Sequence, residues 1–98
     1  MSSELKARIA AFLARPVPKS LAYIRGSFAE SLLTSYAERG GIDLDAETAE
    51  LIDLCVRDSL ATASAMPQSS LEAATYLRES AELLAAVASE AEQHGAGS

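Results

Sequence analysis

The sequence predicts an all-α fold: an up-down-up antiparallel three-helix bundle preceded by a short N-terminal amphipathic helix, four helices in total. Hydrophobic residues make up 49% of the 98 residues while aromatic residues make up 5%, with no Trp. The apolar content is therefore mostly Ala and Leu, which have high helix propensity, and Ala also lets neighbouring backbones approach closely. Runs rich in Val, Ile and Thr, the usual material of sheets, are absent. Four stretches instead place apolar residues at helical spacing, separated by Pro and Gly.

The first stretch runs from Ser3 to Ala14, with Ser2 or Ser3 able to cap it and Leu5, Ile9, Phe12 and Leu13 on one face. Arg15-Pro16-Val17-Pro18 ends it, because each Pro lacks an amide and pushes its predecessor out of the helical region. A second helix is expected from Ser20 to Arg39, burying Leu21, Ile24, Phe28, Leu32 and Tyr36, with Gly26 at a close crossing and Gly40-Gly41 as the stop. Asp43-Leu44-Asp45 opens a third helix that reaches Met66, where Pro67 ends it. Its inner stripe is Thr48, Leu51, Ile52, Cys55, Val56, Ser59 and Ala63. Asp53 on its outer face is spaced to pair with Arg57. Ser69 and Glu72 make a capping-box pattern for a fourth helix that reaches Gln93 and buries Leu71, Ala74, Leu77, Ala81, Leu84 and Ala88. The organisation expected is thus a basic helix with its Pro-containing connector over 1–19, a bundle over 20–94, and a disordered tail over 95–98.

Charge is distributed unevenly along the chain. The net charge is -6, but residues 1–40 carry +3 and residues 41–98 carry -9. So acidic a surface repels phosphate backbones, which argues against a nucleic-acid partner. The apolar run Ile9 to Ala14 is too short for a secretory signal, no stretch has the roughly 20 apolar residues of a membrane span, and three cations beside a short apolar face make a weak anchor. A lone cysteine forms no intramolecular disulfide, so a cytoplasmic protein is expected.

Candidate chemistry is sparse. The one His, His94, falls in a Gly-rich end, where nothing would hold it as a base or ligand. Cys55 lies in an apolar stripe and reads as a structural thiol. Asp43, Asp45 and Glu47 alternate like the start of a calcium loop, but Thr48 stands where such a loop needs Gly and Leu54 where it needs Glu. Asp58-Ser59-Leu60 matches the tripeptide of acyl carrier proteins, yet it falls inside a helix and lacks that family's Gly-containing loop. Arg39-Gly40-Gly41 reads as a helix stop, since the strand, Lys and Ser/Thr of a phosphate cradle are missing. The acids of the last two helices include no Glu-x-x-His and read as solvated faces.

No cofactor, metal or catalytic residue is therefore expected. The function expected is that of a non-enzymatic protein-protein interaction module, a homodimer with a mobile or exchanged N-terminal helix. Leu33, Leu54 and Val87 would form a second apolar face, and Phe12 and Arg15 the contact surface of the arm. The alternative is an acidic inhibitor or immunity-type protein that covers a basic site on an enzyme with its Asp43 to Asp58 and Glu72 to Glu92 surfaces. A small-ligand site would require Tyr36, Tyr76, Arg57 and Arg78 to converge.

Overall fold

A computed structural model describes residues 2–24, 27–39 and 44–97. It contains helices α1 (Ser2–Ala14), α2 (Phe28–Arg39), α3 (Ala46–Ala65) and α4 (Leu71–Gly97), with no strand among the described residues. Two 3₁₀ turns, Lys19–Ile24 and Gln68–Ser70, precede α2 and α4. The expected all-α bundle is what forms.

Local chemistry sets most boundaries. After α1 the Arg15 amide donates to the Phe12 carbonyl at 3.1 Å, and the Pro16–Pro18 segment follows without helix. Asp45 caps α3, its carboxylate accepting the Thr48 amide at 2.7 Å. Met66 leaves the helical region at φ -73°, ψ 144°, as the residue before a Pro does.

The second helix is shorter than its periodicity suggests. Leu21, at φ -112° and ψ 20°, kinks the 3₁₀ turn, and α2 starts only at Phe28. The cause is legible in Ser27-Phe28-Ala29-Glu30, a capping-box pattern in which the Ser27 hydroxyl accepts the Glu30 amide at 3.3 Å. Ser27, inside the helix expected over Ser20 to Arg39, is therefore the cap of a new helix. The expected crossing at Gly26, the stop at Gly40-Gly41 and the acid at Asp43 lie outside the described residues. Ser69 stands in the 3₁₀ turn, so α4 begins directly after it at Leu71, and α4 continues to Gly97, past the end expected at Gln93.

α4 is the axis of the molecule. Its 27 residues span about 40 Å at 1.5 Å per residue, close to the 46 Å long dimension of the whole fold. One buried row, Tyr76, Leu83 and Val87, lies on the flank that meets α1 and α2: Phe12 of α1 packs on Tyr76, and Tyr36 of α2 reaches Glu90. A second row, Leu77, Ala81 and Leu84, lies toward α3. α3 runs antiparallel to α4, since Ile52 and Val56 adjoin Ala85 and Ala88 while Ser59 and Thr62 adjoin Leu77 and Ser80. α2 runs parallel to α4, its start beside Leu77 and its Tyr36 beside Glu90, which completes the up-down-up order.

Two flanks on one helix explain where burial departs from expectation. Leu33 and Val87, expected at a second exposed face, are 1% and 0% exposed and belong to the core. Each such side chain contributes about 1.5–3 kcal/mol of burial. Phe12 is likewise buried, against its own chain's α4. Leu71 and Leu51, expected to face inward, are exposed, and so is Phe28 at the start of α2.

Candidate interaction surface

α3 is covered on one side only. Its buried residues are Ile52 and Ala63, both facing α4, with Cys55 and Val56 half-buried beside them. The opposite side carries Leu51 at 40% exposure and Leu54 at 56%, with Leu60 exposed on a flank. Residues 47, 51, 54, 58, 61 and 65 recur at alternating steps of four and three, so they form one stripe along the outer side of α3; all six are exposed, and Asp58 stands at its edge, on the rim of the crevice that α3 forms with the start of α2 and with α4. Of the expected contact residues, only Leu54 lies on this stripe. Residues 47 to 54 supply acids and leucines. Residues 59 to 65 carry no charge and supply the small exposed residues Ala61, Ser64 and Ala65.

The basic arm is already engaged. Arg15 donates through Nη1 to both carboxylate oxygens of Glu79, and its guanidinium lies 5.8 Å from the centroid of the Phe12 ring. Phe12 and Tyr76 have ring centroids 4.6 Å apart at 32°, the tilted geometry that aromatic quadrupoles favour. Arg15 remains 45% exposed at its side chain, so its ion pair contributes modestly while Phe12 supplies most of the docking energy.

Titratable groups play structural parts. The Tyr36 hydroxyl donates to Glu90 Oε1 at 2.6 Å, and burial, the Glu90 bond and the Glu90 charge push its pKa up to about 12. Bonds from Thr48 hold the Asp45 carboxyl below its usual range. Burial, then the Asp58 charge, raises the Cys55 thiol. Cys55 lines a crevice of about 130 Å³ between the start of α2, α3 and α4, together with Phe28, Leu77 and the buried Ser80.

The four residues that a small-ligand site would require do not converge. Tyr36 and Tyr76 are buried in the core, whereas Arg57 and Arg78 are exposed, Arg57 pairing with Asp53 at 3.0 Å. Ser59 sits in mid-helix. No group of three potential metal ligands occurs among the described residues, and none of their helices is long and apolar enough to cross a membrane. The His94 side chain lies outside the described side chains.

The signal for the α3 surface was present in the sequence as an amphipathic helix with leucines at both inner and outer positions. Which leucines faced out depended on which side α4 occupied. No family model matches the chain, and no curated protein or solved structure matches it either.

Proposed function

We propose that this protein is a non-enzymatic, cytoplasmic protein-protein interaction module that pairs with a second copy of itself through the outward stripe of α3. One observation carries the reading: α3 buries only the side that faces α4 and presents Leu51 and Leu54 to water. Adjacent apolar side chains of that size are costly to leave hydrated and are a usual mark of an association surface. Docking of α1 on α4 of its own chain favours a dimer in which the arm stays in place and the α3 stripes meet.

Light scattering on a sizing column, at low and high salt, tests it. The expected result is a dimer that persists at high salt, since apolar contacts are not screened, and a monomer with unchanged helical circular dichroism for Leu54→Glu. A wild-type monomer at every salt concentration overturns the reading. Capture of a basic partner with steep salt dependence would then favour the acidic-inhibitor alternative.

A further inference from the structure

The outward stripe of α3 has a symmetry in its spacing. Steps of four, three, four, three and four residues read the same from either end, about position 56. A stripe of this kind superposes on an antiparallel copy of itself, so that residue 47 meets 65, residue 51 meets 61, and residue 54 meets 58. The two halves differ in chemistry, and the difference selects between orientations. Leu51 and Leu54, with the acids Glu47, Glu50 and Asp53, occupy the first half; Ala61, Ser64 and Ala65, small and without charge, occupy the second.

Parallel pairing would set Leu51 on Leu51, Ala61 on Ala61 and every acid opposite its own copy. Like charges in register disfavour association, and Ala on Ala leaves a gap where Leu on Leu holds the helices apart. Antiparallel pairing places each Leu51 over the small Ala61 of the other copy, large against small at both ends, and lays the acids of residues 47 to 53 along the uncharged residues 59 to 65 of the other copy.

Resting on the self-association reading above, we infer that two copies pair through α3 in antiparallel orientation about a two-fold axis that crosses the outer face of the helix at the level of residue 56, with Leu51 of each copy against Ala61 of the other. Asp58 stands at the edge of the stripe, on the rim of its own chain's crevice, and is the acid nearest Leu54 of the other copy. It holds the affinity below what a wholly apolar stripe would give.

Directed cross-linking tests the orientation. Two chains are made, both with Cys55→Ser, one with Leu51→Cys and the other with Ala61→Cys; all the substituted outer positions are exposed, and circular dichroism checks that each chain folds. Under mild oxidation an equimolar mixture is expected to give a covalent heterodimer, whereas neither chain alone gives a covalent dimer. A covalent dimer from the Leu51→Cys chain alone means parallel pairing and overturns the inference. A dimer by light scattering that never cross-links in the mixture means that the seam lies elsewhere and also overturns it. A monomer by light scattering removes the self-association reading itself, and this inference with it.

Discussion

Replacing Phe12 by Ala tests whether the basic arm is part of the core or a free contact surface. Phe12 is 3% exposed, with one ring face against Tyr76 and the Arg15 guanidinium nearby. Truncating a buried Phe to Ala costs about 3–5 kcal/mol, of which the aromatic pair supplies about 1 kcal/mol. A chain of this length has a total stability of about 5–15 kcal/mol, so a large share would be lost. At a urea slope near 2 kcal/mol per M, the midpoint falls by roughly 2 M. Arg15→Ala serves as the contrast: its ion pair with Glu79 is largely solvated, and its removal costs less than about 1 kcal/mol. Urea unfolding followed by circular dichroism, in a Leu54→Glu background chosen to exclude the proposed α3 pairing, is the assay. A Phe12→Ala midpoint within roughly 0.3 M of its parent would refute docking of α1 in the core. A decrement that depends on protein concentration would show that α1 docks on another chain.

Two further outcomes follow from the titratable groups. The folded chain favours the protonated Tyr36 phenol, raised from 10.0 to about 12, so its contribution to stability holds below pH 10 and is lost as pH rises from there through about 12. Tyr36→Phe should flatten that alkaline loss while removing one hydrogen bond, roughly 1.5 kcal/mol at neutral pH. Denaturation across the range checks both, and an unchanged alkaline slope would contradict the assignment. Cys55, with its thiol raised chiefly by burial, should react with a disulfide reagent at pH 8 more slowly in the folded chain than in urea. Asp58→Asn should speed it only slightly, and equal rates folded and unfolded would sink the argument.

Elements marked by covalent geometry and capping were readable from the sequence. Pro16 and Pro67 fixed two ends, Asp45 one beginning, and the number and order of helices followed from them. The helix expected over Ser20 to Arg39 starts only at Phe28: Leu21, Phe28, Leu32 and Tyr36 keep helical spacing across Ser27, but that residue's hydroxyl caps a new helix locally. Burial on α4 was harder to foresee. A hydrophobic pattern reports one apolar stripe, whereas α4 buries two, and only the assembled neighbours reveal that Leu33 and Val87 are interior. The outward stripe of α3 is the complement of that fact: its leucines remain exposed because the second flank of α4 is taken up by α1 and α2.

The placement of α4 at the centre also has a consequence for how the chain is made. α3 and α4 are consecutive and joined by a short turn, so their pairing is local and fast. α1 meets α4 across a separation of 64 residues, as the Arg15 to Glu79 contact records, and closing that loop comes late. During synthesis α1 emerges before α4, its core partner. Leu5, Ile9 and Phe12 therefore stay uncovered by α4 for as long as the intervening helices take to be made, an interval in which Lys6, Arg8 and Arg15 beside them are the charges the nascent arm presents to water.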